Sequence, residues 1–530
     1  MAFDPIAYIN EPRWQESRLG LDRIRVLLER MGRPQDRLRF VHVAGTNGKG
    51  STCAYLASIL QAAGYRTGLF TSPFIEAFEE RIRVDGRNIS TDELMAATLA
   101  VREHAEAMAA ETGDHPTEFE LMTAVALEHF ARCACDIVVL EVGLGGRLDS
   151  TNVIDAPEAT VIARIGLDHT KQLGNTLAAI AGEKAGIVKD AAPVVSWPQE
   201  PEAMAVVEKA ARAHGSTLVV PDFSQLEVDP VEWQSCHPEQ TAETLDPCHS
   251  EQTAETLDPC HPEQTAETLD SCHPERSEAE SKDPARCQRK AVPAVATGDP
   301  SAPALRTSAR DDEKREPPTP VGDDGLQSAT LARPFSYRGR AYRTRLLGSY
   351  QPANAALALE TVNVLRERGW SISDEAERAG VERAQWPGRF EIVDAGEGRP
   401  TVVVDGGHNP QGARALAESL DDVFPGVKPV FIVGVLEDKD YPVMLEAILP
   451  HGSGFVAVTP DNPRALPADK LARAIRWTGQ DLLGCSACVN PYVARDMADA
   501  VARARELAGP EGLVCAFGSL YSVAALKAAL

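Results

Sequence analysis

Positive charge is scarce in this chain: 53 lysines and arginines stand against 78 aspartates and glutamates, giving a formal net charge of −25 at pH 7 and a pI near 5. General nucleic-acid binding needs a net basic surface that displaces counterions from phosphates, so that class is excluded and no nucleic-acid partner is expected. Any anionic substrate must be caught by local basic groups. No charge-free apolar run reaches the length of about 20 residues that a membrane-crossing helix needs. The first residues, MAFDPIAYINEPRW, lack both a basic start and an apolar stretch and do not read as a signal peptide, which makes the cytoplasm the expected compartment. Useful cysteine pairing is scarce too. Of 11 cysteines, Cys236, Cys248, Cys260, Cys272 and Cys287 share one odd segment, while Cys53, Cys133, Cys135, Cys485, Cys488 and Cys515 are scattered as cytosolic core thiols usually are. Cys485 and Cys488 form a CxxC with no second pair beside it, which disfavours a metal or redox role.

What is present starts with size: 530 residues exceed one ordinary core, so two or more domains are expected. From about 225 to 332 the character shifts, and CHPEQTAETLDP, CHSEQTAETLDP, CHPEQTAETLDS and CHPERSEAESKD repeat with a period of 12. A short, acidic, proline-bearing repeat buries too little apolar surface to offset its ordering entropy and reads as a disordered insertion. Its Cys-His pairs are a second reading, as metal ligands. Zinc modules, however, usually combine CxxC and HxxxH spacings with a small apolar core, which is absent.

On either side, short β-rich runs alternate with helical patterns, the mark of parallel α/β sheets. Strands are expected at Phe40–Ala44, Ile137–Val142, Ala159–Gly166 and Thr217–Val220, then at Thr401–Asp405, Val430–Gly434, Gly454–Val458 and Leu513–Phe517. Asn354–Gly369 reads as an alanine-rich helix, and WPGRF at 386–390 as a linker with a hinge at Ala384–Pro387. The expected architecture is a P-loop-type parallel-sheet ATPase domain (1–384, carrying the insertion) followed by a smaller Rossmann-like α/β domain (385–530).

The strongest local signal is FVHVAGTNGKGSTCAYLASILQAAG at 40–64: a buried strand, a glycine-rich turn and a helix. Gly45, Gly48 and Gly50 let the backbone turn its N–H groups and the helix N-terminus toward an anion, and Lys49 adds a point charge. The loop departs from the standard P-loop pattern, with Val43 in the first glycine's place and Gly50 between Lys49 and Ser51. In CDIVVLEVGLGGRLDSTN, at 135–152, Glu141 arrives at the carboxyl end of a strand, where an open parallel sheet binds ligands and where a carboxylate can meet magnesium beside phosphates. A neighbouring strand, ATVIARIG, ends just before Asp168 and His169 and aims them at the same crevice. In AGEKAGIVK, Glu183, Lys184 and Lys189 read equally as a charged helix face.

GTNGKGS, TSPF (71–74), EERI (79–82), TEFE (117–120), EVGLGGRLDSTN, LDHTKQLG (167–174), EKAGIVK, WPGRFE, DGGHNP, EDKD and FGSLY, in that order, resemble folylpolyglutamate synthases, including the bifunctional dihydrofolate synthase form, within the Mur ligase superfamily. The resemblance runs over about 5–225 and 335–530. It implies an ATP-dependent amide ligase that adds L-glutamate to a reduced folate, and also to dihydropteroate in bifunctional members, through an acyl phosphate. It implies ATP held by Gly45, Thr46, Asn47, Gly48, Lys49, Gly50, Ser51, Asn354, Arg389 and Asp405, and magnesium, two ions in this family, held by Ser72, Glu141, His169 and a carbamylated Lys184. A monovalent cation is a further candidate. Phe74, Arg81, Thr117, Glu118, Phe119, Glu120, Leu148, Asp149 and Ser150 match folate and pterin stretches, and His408 and Ser519 match glutamate-site positions. Lys49, Lys184 and His408 are the catalytic candidates and a monomer is expected. Arg464 is a weaker anion contact. Tyr350 stands where the family usually has histidine, and Gly407 turns DGAHNP into DGGHNP. A Mur-type ligase for another substrate and a non-catalytic nucleotide-binding protein remain as alternatives, with a scaffold role of the repeats as an addition.

Overall fold

The structure is a computed structural model, and it describes residues 3–11, 18–232, 331–483 and 490–530. The CxxC at Cys485 and Cys488 and all the Cys-His repeats lie outside the described residues. Among the described residues, no helix is long and apolar enough to cross a membrane.

Eight strands build the first sheet: β1 (Phe40–Ala44), β2 (Thr67–Phe70), β3 (Ile82–Val84), β4 (Arg87–Asn88), β5 (Ile137–Glu141), β6 (Ala159–Ile162), β7 (Val194–Ser196) and β8 (Leu218–Val219). Their order is β4-β3-β2-β5-β1-β6-β7-β8, parallel from β2 to β8, with β3 and β4 antiparallel at one edge. Helices cover both faces, which is why FVHVA, IVVLE and ATVI are buried at every position rather than at alternate ones. Even His42 is fully buried, with Nε2 at 2.9 Å from Thr151 Oγ1, and burial pushes its pKa down to about 3. The chain leaves β1 toward β2 on one side and returns through β5 to β6 on the other. The carboxyl ends of β5, β1 and β6 therefore frame a topological switch point, the usual ligand crevice of open α/β sheets.

A small antiparallel sheet follows: β9 (Leu226–Val228), β10 (Arg333–Tyr337) and β11 (Arg340–Thr344), ordered β11-β10-β9. Regular structure thus continues past 225, where composition alone marks the insertion, to a bridge between Glu232 and Ala332. The correction has a simple cause: LEV at 226–228 is too short to signal a strand until β10 pairs with it.

The last sheet is β12 (Glu391–Gly396), β13 (Arg399–Asp405), β14 (Val430–Val433), β15 (Gly454–Ala457), β16 (Tyr492–Val493) and β17 (Leu513–Phe517), ordered β12-β13-β17-β14-β15-β16 and parallel except for β12. The alanine-rich helix spans Gln351–Glu367 and packs on the helix Lys49–Ala62, which also receives Asp374–Arg383. Gly380 lies so close to Ile59 that any side chain there would collide with backbone. Two glycine- and alanine-lined crossings thus tie the helix behind the glycine-rich turn into the main core.

Because Glu232 and Ala332 are already bridged, replacing 234–330 by a short Asn-Gly turn should leave the thermal midpoint within a few degrees of the full chain. Loss of cooperative melting by circular dichroism would contradict this. Gly380→Ala should cost about 1–3 kcal/mol through overpacking, read as a lower urea midpoint.

Candidate active site

The glycine-rich turn is shaped by close approach. A Cβ on Gly45 would sit 2.7 Å from Ala163 Cβ, and one on Gly48, whose φ is +83°, would sit 2.5 Å from Asn354 Oδ1. One on Gly50 would collide with the Trp386 indole. Thr46 and Asn47 donate their N–H groups to Arg164 O at 2.9 and 3.1 Å, and Thr46 Oγ1 exchanges hydrogen bonds with the backbone of Gly166 at 3.0 Å. The loop is thus pinned to the tip of β6. That leaves the first-turn amides of the helix Lys49–Ala62 facing a cavity, where an anion can use them.

Glu141 ends β5 within the same cavity, buried, with Oε2 accepting from Ser72 N at 3.2 Å and Oε1 at 3.8 Å from Lys49 Nζ. Burial pushes its carboxyl up, with Lys49 and the Ser72 amide pulling the other way. Lys184 Nζ donates to Gly45 O at 2.7 Å, and burial, helped by Lys49, lowers its pKa to about 7. His169 opens into the cavity with its pKa lowered by burial, so its ring is neutral near pH 7.

Asp168, beside it, is paired. Its carboxylate meets Lys439 Nζ at 2.7 Å, Asn409 Nδ2 at 3.3 Å and His408 Nε2 at 3.8 Å, all from the last sheet's side. Burial alone would raise its pKa, but Lys439, His169 and His408 hold it well below the usual carboxylate range. Asn47 and Asn409 exchange amide hydrogen bonds, and Asn47 Nδ2 also donates to Gln411 Oε1 at 2.6 Å. Sequence reasoning gave no role to Lys439, Asn409 or Gln411. Their one signal was position inside the motifs DGGHNP and EDKD or next to them.

Asp405, at the tip of β13, is satisfied by the protein: it accepts from Phe390 N at 2.9 Å, Gly407 N at 2.7 Å and Tyr350 Oη at 3.0 Å. The tyrosine at the family's histidine position thus bridges to the last sheet. Arg389 lines the cavity without a hydrogen bond or close ion pair among the described residues, and its charge acts against burial on the Asp405 and Glu141 carboxyls. His408 Nδ1 donates to Gly406 O at 2.9 Å, leaving Nε2 with the lone pair, and burial with Lys439 and Arg389 lowers its pKa to about 4.

A second cavity is lined by Arg81, Thr117, Glu118, Phe119, Leu148, Asp149, Ser150, Arg464 and Ser519. Phe74 and Glu120 line neither cavity. Phe74 packs on Phe78 and lies under the Arg81 guanidinium at 5.0 Å. Glu120 closes the helix Glu118–Arg132 as a capping box with Thr117 and pairs with Arg23 at 3.0 Å. Asp149 also has its oxygens taken, by Leu144 N and by Thr151. The two cavities share a wall at Ser72, Pro73, Gly143, Leu144, His169, His408 and Leu520, so they meet where the carboxylate and imidazole groups gather.

Residues 43–245 match the Mur ligase middle domain, and 388–520 match the glutamate ligase domain of Mur ligases. A dihydrofolate synthase/folylpolyglutamate synthase of Bacillus subtilis is 32% identical over 98% of each chain. The chain belongs to that family. Within the Mur ligase family, its fold aligns with Mycobacterium tuberculosis folylpolyglutamate synthase complexed with ADP and AMPPCP at TM-score 0.71 and 26% identity, over 99% of this chain and 98% of that one. It also aligns with E. coli FolC in complex with DHPP and ADP at TM-score 0.69 and 25% identity, over 99% and 97%. The two-domain α/β fold is that of folylpolyglutamate synthases.

A charge-assisted bond contributes about 1.5–3 kcal/mol to stability, so Lys439→Met, which leaves the buried Asp168 carboxylate without its cation, should lower the thermal midpoint by a few degrees and turnover roughly tenfold or more. Unchanged turnover would show that the Asp168–Lys439 pair does not support the site.

Proposed function

We propose that the protein joins the amine of L-glutamate to a carboxylate of a reduced folate with ATP as co-substrate, and that dihydropteroate is a second acceptor. The supporting observation is the shared wall of the two cavities. A nucleotide seated on the glycine-rich turn directs its terminal phosphate to Lys49, Glu141 and His169, and an acceptor in the second cavity reaches the same point from the other side.

A carboxylate resists attack by an amine until one oxygen becomes a leaving group. Phosphoryl transfer from ATP supplies that, and the amine then displaces phosphate from the acyl phosphate. Transfer of this kind needs positioning and charge neutralisation more than covalent help. The first-turn amides, Lys49 and Arg389 supply these from the protein. His408 has too low a pKa to hold a proton at pH 7, so it does not repel an incoming ammonium, and Nε2 can accept a hydrogen bond that orients the amine. Ser519, buried at the tip of β17, lines the second cavity beside it.

Magnesium suits the corner at Glu141. The buried carboxylate has one cation 3.8 Å away and a raised pKa, and Ser72 and His169 add hydroxyl and imidazole donors. When bound there, magnesium would neutralise phosphate oxygens. Lys184 supports the family's carbamate. Its amine, neutral above about pH 7, adds to CO2 with loss of one proton, and the new carboxylate would hold a second ion. We place the activity in the cytoplasm, in a monomer. The glycine-rich turn, Lys49, Glu141 and His169 are all in place, which speaks against a non-catalytic role, and the lining of the second cavity by the TEFE and GLGGRLDSTN stretches supports a folate over a cell-wall precursor.

Lys49→Ala and Glu141→Ala should each abolish glutamate-dependent ADP release. Near-normal turnover in either would defeat the assignment. Parallel assays with dihydropteroate and tetrahydrofolate decide the acceptor: turnover of both supports the full reading, and silence with dihydropteroate removes its second half. With 13C-bicarbonate, a carbamate resonance should appear at pH 8, fade at pH 6 as the Lys184 amine protonates, and be missing in Lys184→Gln. A resonance that persists in that variant would exclude Lys184.

A further inference from the structure

Away from both cavities, the helix Thr91–Thr112 begins beside the end of the helix Glu118–Arg132. His129 and Cys133 are four residues apart, so they share one helix face, and Glu93 comes from the first turn of the other helix. One ligand atom from each of the three lies within 4.8 Å of the others. The His129 imidazole is buried, with 4% of its surface exposed; its hydrogen-bond contact among the described residues is the Cys133 sulfur, 3.6 Å from Nε2 and 4.0 Å from Nδ1, and the Glu93 carboxylate also acts on it. A buried imidazole with only a weak sulfur hydrogen bond is an underused donor. Glu93 Oε2 accepts from Ser90 N and Oγ as a helix cap, and no bond of Oε1 is recorded among the described residues.

The spacing fits a specific chemistry. Zn–S bonds of about 2.3 Å and Zn–N bonds of about 2.0–2.1 Å at a tetrahedral angle separate the two ligand atoms by roughly 3.6 Å. The sulfur-to-Nε2 distance here is 3.6 Å. Arg66 hydrogen-bonds the sulfur and Asp85 faces it, so Glu93, a thiolate, Asp85 and Arg66 sum to −2, which one divalent ion cancels; the ion has to displace the Arg66 bond and overcome the burial that pushes the thiol pKa up.

We propose that Glu93, His129 and Cys133 form a site for one zinc-type divalent cation, with a fourth position open to water. Binding releases the thiol proton as the sulfur–metal bond forms. The ion would clip the start of one helix to the end of its neighbour, whose opposite end carries Glu118 and Phe119 into the second cavity.

The test uses the full chain, stripped of metal and titrated with zinc against a chromophoric chelator, and separately with cobalt(II), whose sulfur charge-transfer band reports thiolate ligation. Thiols elsewhere in the full chain can also take up either ion, so the readout is the difference between variants. Cys133→Ser should bind one zinc fewer and lose one equivalent of the cobalt–thiolate band. Glu93→Gln, at an exposed position, should weaken that equivalent about tenfold and shrink the zinc-induced rise in melting temperature. Unchanged stoichiometry and band in Cys133→Ser would overturn the site, leaving an ordinary thiol–imidazole hydrogen bond. If Cys133→Ser does not fold, unchanged zinc affinity in Glu93→Gln overturns it equally.

Discussion

The carboxyl end of β1 sets the terms for the rest of the molecule, because a turn that presents helix amides to an anion cannot satisfy its own backbone. Thr46 and Asn47 donate instead to Arg164 O beyond β6, which requires β6 to lie beside β1. The other neighbour, β5, then delivers Glu141 to the same opening. Across the opening, Asn47 pairs with Asn409 and Gln411, so the loop's conformation and the placement of the last sheet are held by one short segment.

Electrostatics follow the same economy. A chain of net charge −25 gathers Lys49, Lys184, Arg389 and Lys439 around one opening. Each is managed differently. Lys439 is consumed by Asp168, Lys49 is shared with Glu141, Lys184 is pushed toward neutrality and Arg389 acts on Asp405 and Glu141 without a close pair among the described residues. Desolvation keeps His408 and His169 neutral, so the imidazoles add donors without adding repulsion.

Much of this was legible in sequence, for identifiable reasons. The long buried strands β1, β5, β13 and β17 announce themselves as continuous apolar runs, and the glycine-rich turn as glycines around a lysine. β2 and β7 are not legible in the sequence, since TGLF and VVS are too short to stand out before their neighbours pair with them. Asp168 was recognised as facing the crevice, but its partner lies 271 positions away, beyond the reach of any local pattern. Glu120 has a structural role that is legible locally: the spacing Thr-x-x-Glu within TEFE describes a helix cap. The tyrosine at 350 donates to Asp405, a bond that only the fold reveals because it joins positions 55 apart.

Gly50 and Trp386 carry a consequence that reaches beyond this molecule. The indole lies against the glycine, with Arg83 at 5.8 Å from its ring, and occupies the space that a side chain at position 50 would need. A residue in the phosphate-facing turn and a residue in the linker between the two larger sheets are thus bound into one steric unit across 336 positions of chain. Neither can drift alone: a larger residue at 50 demands a smaller one at 386, and loss of the indole uncovers the turn. Across descendants of this sequence, the two positions should be inherited as a pair.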